Sequence, residues 1–455
     1  MVGAINTVFH NIIISMKRSN FMIYTSITAL CFLYTGSVYM SQLYRLLDYF
    51  SYNTVDMITS TINYLFQGLG MGIYIYLLRK NNPLVKQKKT FIISLIVGIV
   101  FMILMQLSNN GNVILLAGIV FNALIGFYTA FYLTFTAANI ETNRLGLSYG
   151  TAYAIGTVGT YVISLLGDGD FLVSEEITVI YLILVSLTIA LVFYSDNLIC
   201  ESKEDVKEFH TEYLTAILVI MSLISTVGSC LYLSLPTNDS VNFTLIRAFY
   251  AVGLIIAGYI IDKNREIGNI VTLASLVYPL IGTVVSANSK LTTVTLSLSY
   301  AMIGFFAVYR TVTFMSFGSE DNSYLYLSSV GLMISRIVEA LVTIPIIYCD
   351  ISSISQLIVS SLLFAILIVI YFLYQSKLNT KNITAEKRFN IVSDKYKLSL
   401  RETEILQCLY DGMSDKEISN KFYISTNTVR FHISNIMKKT KTTSRVEIVR
   451  LVKNI

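Results

Sequence analysis

The sequence predicts an all-α chain, a polytopic bundle of membrane helices followed by a C-terminal unit of four short helices. Three observations carry this. Of 455 residues, 54% are hydrophobic and 13% charged, whereas soluble domains carry roughly 25% charged residues. Before residue 376 the chain holds twelve apolar runs, each near the roughly 20 residues that a helix needs to cross about 30 Å of hydrocarbon. After it the runs stop, and three Ser-x-x-Glu helix-start signals follow.

The spans are predicted near residues 21–43, 55–78, 90–107, 113–137, 147–166, 177–194, 213–235, 241–261, 269–287, 292–317, 325–348 and 355–375. The first run is longer than the ~7–15 residue core of a secretory signal and reads as a retained span. Loops assigned to the cytoplasm hold Lys17, Arg18, Arg79, Lys80, Lys86, Lys88, Lys89, Arg144, Lys203, Lys207, Lys263 and Arg265, while the opposite side holds only Arg45, Arg247 and Lys290. That bias follows the positive-inside rule and puts both termini in the cytoplasm. An outer loop at 167–176 is acidic through Asp168, Asp170, Glu175 and Glu176.

The polar stretch from Ser195 to Tyr213 divides the spans six and six, which suggests an internal duplication. At the end of span 8 stands Gly258-Tyr259-Ile260-Ile261-Asp262-Lys263-Asn264-Arg265. It resembles the G-x-x-x-D-[RK]-x-x-[RK] loop of the major facilitator superfamily, and that resemblance implies a 6+6 transporter-like bundle over roughly residues 15 to 375. The first half departs from the pattern: Gly72 is followed by Arg79 and Lys80 with no Asp between.

Residues 376–397 are polar without apolar periodicity and read as a flexible cytoplasmic linker, with an end-to-end distance of about 25 Å as coil. Charge is divided unevenly along the chain. Residues 376–455 hold 16 Lys/Arg against 8 Asp/Glu, and residues 1–375 hold 17 against 20. A basic tail of this kind points to nucleic acid or a membrane surface.

Within residues 398–455, Ser399-Leu400-Arg401-Glu402, Ser414-Asp415-Lys416-Glu417 and Ser444-Arg445-Val446-Glu447 each fit the capping box, in which Ser and Glu side chains satisfy backbone N–H groups at a helix start. Gly412 stands where a helix end favours a left-handed residue. Ser425 is placed to cap a helix from Thr426 toward Lys439. Only three residues separate Phe422 from Thr426, the tight turn of a helix-turn-helix. On the third helix Val429, His432, Ile433 and Ile436 share the face that packs on Ile418, Phe422 and Ile424. Asn427, Arg430, Phe431, Ser434 and Lys438 face outward, where a recognition helix meets the major groove of DNA.

These segments resemble the LuxR family throughout: Leu398-Ser399-Leu400-Arg401-Glu402, Asp411-Gly412-Met413-Ser414-Asp415-Lys416-Glu417-Ile418-Ser419, Ile424 to Ile436, and Ser444-Arg445-Val446-Glu447. The resemblance implies that Arg430, Phe431 and Ser434 approach bases, and that Thr426, Thr428, Lys438 and Lys439 engage phosphate. It also implies binding as a dimer, for which the helix from Val446 to Val452 offers an apolar face.

Charged groups within spans are costly and mark functional sites. Arg247 lies in the outer part of span 8, Arg310 in span 10, and Arg336 and Glu339 one turn apart in span 11. Three arginines against one carboxylate leave a positive surplus, which points to a small anionic ligand between the two halves. Gln67 and Asn122 are mid-span groups able to add neutral hydrogen bonds.

Cys31, Cys200, Cys230, Cys349 and Cys408 are scattered without a CxxC pair or a nearby His, so neither a metal set nor a cofactor is expected. Gly68, Gly70, Gly72, Gly150, Gly156 and Gly159 lie inside apolar spans and read as close helix packing, not phosphate loops. No nucleotide-binding, zincin or nucleophile-elbow motif is present, and an enzyme is not expected. The expectation is a bacterial inner-membrane regulator: residues 1–375 sense a small molecule and residues 398–455 bind double-stranded DNA. An active transporter with a regulatory DNA-binding tail is the alternative.

Overall fold

The computed structural model describes residues 2–165, 175–195, 211–233, 243–278, 292–349 and 351–453. All regular structure among them is helical. Among the described residues, twelve helices stand at the predicted runs: α1 (Val2–Leu47), α2 (Tyr52–Met57 passing through Ile58–Ile62 into Asn63–Arg79), α3 (Lys88–Leu107), α4 (Gly111–Asn139), α5 (Leu145–Leu165), α6 (Glu175–Phe193), α7 (Thr211–Leu233), α8 (Phe243–Lys263), α9 (Arg265–Ser275), α10 (Thr292–Glu320), α11 (Val330–Tyr348) and α12 (Ser353–Tyr396). Four short ones follow, α13 (Leu400–Tyr410), α14 (Asp415–Phe422), α15 (Thr426–Thr440) and α16 (Arg445–Lys453). Among the described residues, seven helices are long and apolar enough to cross a membrane, in α1, α3, α4, α6, α10, α11 and α12. The side chains of Lys17, Arg18, Cys200, Cys230, Arg247 and Lys290, most of the acidic loop at 167–176 and most of the Ser195–Tyr213 stretch lie outside the described residues.

The chain forms two compact units, residues 1–367 and 368–455. In the first, α1 packs on α4, α5 and α6, and α2 on α4, while α8 packs on α10 and α7 on α11. The halves meet along two seams, α5 against α8 and α2 against α11. Adding six to each first-half partner exchanges one seam for the other, as a 6+6 duplication requires.

Glycine sets the α5–α8 seam. A Cβ on Gly258 would lie 2.2 Å from the Gly146 carbonyl oxygen, and one on Gly150 would lie 2.3 Å from that of Leu254. Gly70 likewise meets the Ala123 carbonyl across α2–α4, and Gly156 meets Phe32 on α1. Gly72 only reaches ordinary van der Waals distance of Met333. Gly258→Val should therefore force α5 and α8 apart and cost about 1–3 kcal/mol, the usual range for overpacking. The check is a lowered unfolding temperature of the purified full-length protein, with Gly72→Ala as a mild comparison.

Asp262 closes one end of this seam. Its Oδ1 accepts from the Gly146 N–H and its Oδ2 from the Leu147 N–H, both at 2.7 Å, so a carboxylate caps the positive end of α5. Arg265 pairs with Glu320 at 3.6 Å. It stands one residue ahead of the motif's last basic position, which Glu266 occupies. In the first half, which lacks the Asp, Arg79 lies over the Tyr326 ring at 5.7 Å instead.

The linker differs from expectation. Residues 376–396 continue α12 as helix, so the reach of a coil does not apply. No Pro or Gly interrupts α12, and Phe389 and Val392, one turn apart, are buried in the tail's core with Tyr396 packed beside them. The helix ends at Lys397, in the left-handed region at φ 48°.

Candidate DNA interface and membrane cavity

The second unit is built around Ile405, Leu406, Ile418, Val429, Ile433, Ile436, Ile448 and Val452, with Phe389 and Val392 from α12. Its helices begin as the Ser-x-x-Glu spacing requires in two cases, because the Ser399/Glu402 and Ser414/Glu417 boxes are both reciprocal. The third is half a box. Ser444 Oγ accepts from the Glu447 N–H at 3.2 Å, but Glu447 Oε2 accepts from the Thr443 N–H at 2.7 Å, one residue further back. Gly412 takes φ 77°, the left-handed conformation expected there. Ser425 caps α15 by accepting from the Thr428 N–H at 3.1 Å. The turn before it carries Tyr423 at φ 54°.

The structure places Thr426, Asn427, Arg430, Phe431, Ser434, Lys438 and Lys439 on the exposed side of α15, with Thr428 half-buried and its hydroxyl 2.8 Å from that of Ser425. His432 is half-buried and turns partly away from the core. Phe431 is 63% exposed, a large apolar group on the outer face of the third helix.

Two contacts were not legible in the motifs. Asp415, at the start of α14, accepts from Arg430 Nε at 3.0 Å and also holds Arg445. It holds Arg430 through Nε alone, and the Arg430 side chain stays 69% exposed. Lys439 instead reaches inward: its Nζ lies 2.6 Å from Glu402 Oε2 and 3.0 Å from the Lys397 carbonyl. Its charge ties α15 to the α13 cap, whereas the Lys438 side chain is exposed.

Burial raises the pKa of the Asp415 carboxyl, but hydrogen bonds from Arg445 and Arg430 outweigh it and hold the group below its usual value. Glu402 behaves alike: burial raises it, while Lys439 and the Ser399 backbone bring it down further. Both folded-state values lie under the unfolded ones, so the stabilisation is complete above roughly pH 4–4.5 and is lost as pH falls through the folded values. Thermal melts of residues 380–455, which include this core, should show a plateau near neutrality and a decline below about pH 4. Asp415→Asn should flatten that decline.

In the membrane unit Arg310 and Glu339 meet although 29 positions separate them: Arg310 Nη1 lies 2.6 Å from Glu339 Oε1 and 2.7 Å from Ser335 Oγ. Arg336 Nη1 donates to Glu339 Oε2 at 2.8 Å, and its guanidinium lies 4.2 Å from the Tyr64 ring centroid. One carboxylate thus bridges two arginines and leaves one positive charge in surplus.

Beside this triad is a cavity of about 690 Å³, bounded by eight tyrosines, several threonines, Gln67 and Arg336. That volume suits a small ligand. Arg310 and Glu339 are not on its wall, and among the described residues Arg336 is the one charged residue that is. Gln67 is held by Asn122, whose Oδ1 accepts from Gln67 Nε2 at 2.8 Å. Asn122 is wholly buried and off the wall. The lining runs to Tyr44, Ser164 and Ala248, at the helix ends remote from Asp262.

A basic helix-turn-helix unit carried behind a duplicated bundle of membrane helices defines a membrane-bound DNA-binding protein, and comparison with known proteins places each part. Residues 396–452 match the family model described as bacterial regulatory proteins, luxR family, and this C-terminal domain is a LuxR-type helix-turn-helix domain. It is 39% identical over 69 residues to the uncharacterized response regulatory protein YgeK of Escherichia coli, covering 15% of this chain and 47% of that protein. It is 41% identical over 58 residues to the transcriptional regulatory protein DegU of Brevibacillus brevis, covering 12% and 25%. The chain thus spans less than half the length of these curated relatives. The helices before the tail have the major facilitator fold. A crystal structure of the major facilitator superfamily transporter FucP in the outward conformation superposes with a TM-score of 0.54 at 12% identity, over 77% of this chain and 97% of that one.

Proposed function

We propose that the protein is a one-component transcription regulator of the bacterial inner membrane, with both termini cytoplasmic. A small molecule enters the cavity beside Arg336, and the LuxR-type domain changes its DNA occupancy in response. One observation carries this reading: a single chain joins a luxR-family domain at residues 396–452 to a membrane bundle whose polar cavity presents an unneutralised cation. The mechanism is a coupling between two states of the membrane bundle that bind the ligand unequally and present the DNA-binding domain differently. Pairing of two tails through α16, where Val446 is 60% exposed, is the proposed form of that presentation.

The transporter alternative draws on the major facilitator fold and the Asp262 cap. Two measurements separate the readings. A reporter driven by the promoter beside the gene, tested against a panel of small molecules, should respond to the ligand of a sensor. Proteoliposomes should then bind that ligand without accumulating it. Accumulation with no reporter response would favour the transporter.

A further inference from the structure

The geometry points to a particular ligand class for the cavity: a planar monoanion, one carboxylate on an aromatic ring. This rests on the cavity being a ligand site. Glu339 occupies Nη1 of Arg336, while Nε and Nη2 have no protein acceptor among the described residues. Those two nitrogens form the side-on edge of the guanidinium, and their parallel N–H bonds match the two oxygens of a carboxylate. Arg336 is on the cavity wall, and with Nη1 committed to Glu339 this edge is the part of the guanidinium left to meet a ligand.

Charge fixes the valence. Arg310 and Arg336 share the single carboxylate of Glu339, and every other described residue on the wall is uncharged. A net charge held within the bundle is unfavourable until it is paired. One negative charge completes the set, whereas a dianionic phosphate would reverse it.

The wall fixes the body. Tyr64 lies under the guanidinium with Tyr39 roughly parallel to it at 6.3 Å, and Phe32 stacks on Tyr153 at 4.4 Å. Flat aromatic faces beside a cation receive a flat ring that carries its charge at the edge. Gln67, whose Nε2 is held by Asn122, offers its Oε1 as an acceptor for a polar substituent on that ring.

The test is calorimetric titration of the full-length protein in nanodiscs with benzoate, phenylacetate and indole-3-acetate, against benzamide, acetate and inorganic phosphate. At least one ring carboxylate should bind more tightly than benzamide, acetate and phosphate by at least about tenfold. Arg336→Lys keeps the charge but loses the fork, and should weaken that binding by a similar factor. The comparison of benzoate with benzamide uses the unaltered protein and stands even if the variant does not fold. Benzamide binding as tightly as the best of the three ring carboxylates, phosphate binding tightest, or no binding of any ring carboxylate at millimolar concentration would overturn the assignment. Carboxylate binding that leaves DNA occupancy unchanged would uphold the ligand class and count against the sensor alone.

Discussion

Glu339→Gln is expected to lose about 3–5 kcal/mol of membrane-domain stability, the range for removing one partner of a buried ion pair. The carboxylate accepts from Arg310 and Arg336 through separate oxygens, so a neutral amide leaves two like charges facing each other. Arg310 is only 5% exposed, so its charge is poorly solvated once the carboxylate is gone. The loss should appear as a lower unfolding temperature and a poor yield of monodisperse protein in detergent. Adding Arg310→Gln restores the wild-type surplus of one charge, and the double variant should recover much of the loss. An unchanged unfolding profile for Glu339→Gln would show that the triad contributes no net stability.

Arg430→Ala should weaken binding to the preferred DNA sequence by about 1–3 kcal/mol, roughly fivefold to 150-fold, and leave binding to random DNA nearly unchanged. Asp415 holds Nε of Arg430 while the side chain stays 69% exposed, so the guanidinium is tethered at one nitrogen and open to DNA. Asp415→Asn should produce a smaller loss in the same direction. Lys438→Ala should weaken all sequences alike and lower the salt slope by about 0.9. Lys439→Ala should mainly destabilise the domain, since its ammonium sits on Glu402. Equal losses of Arg430→Ala on preferred and random DNA would remove it from base reading.

Much of this was legible in the sequence because it depends on short spacings. Apolar run length marks the helices, Ser-x-x-Glu marks two reciprocal caps, and Gly412 marks a left-handed helix end. The Arg336–Glu339 pair follows from one helical turn. What depends on long-range contact was not legible: Arg310 reaching Glu339, Asp262 capping α5, Asp415 gripping Arg430, and Lys439 crossing to Glu402. The linker misled for a different reason. Its apolar residues are interspersed with charged and polar ones, and Phe389, Val392 and Tyr396 become a helix face only against the tail's core. The π-helical turn at Ile58–Ile62 in α2 has no sequence signature at all. Tyr39 donates its hydroxyl to the Thr59 carbonyl there at 3.0 Å.

The central claim is that occupancy of the membrane cavity governs DNA occupancy by the tail. The most direct measurement is the affinity of the full-length protein in nanodiscs for a DNA sequence selected by residues 380–455, with and without a molecule that binds the cavity. A shift of about 5–150-fold is expected, the usual span of coupling between two sites, and none for the isolated tail. Equal DNA affinity with the cavity filled and empty would contradict it.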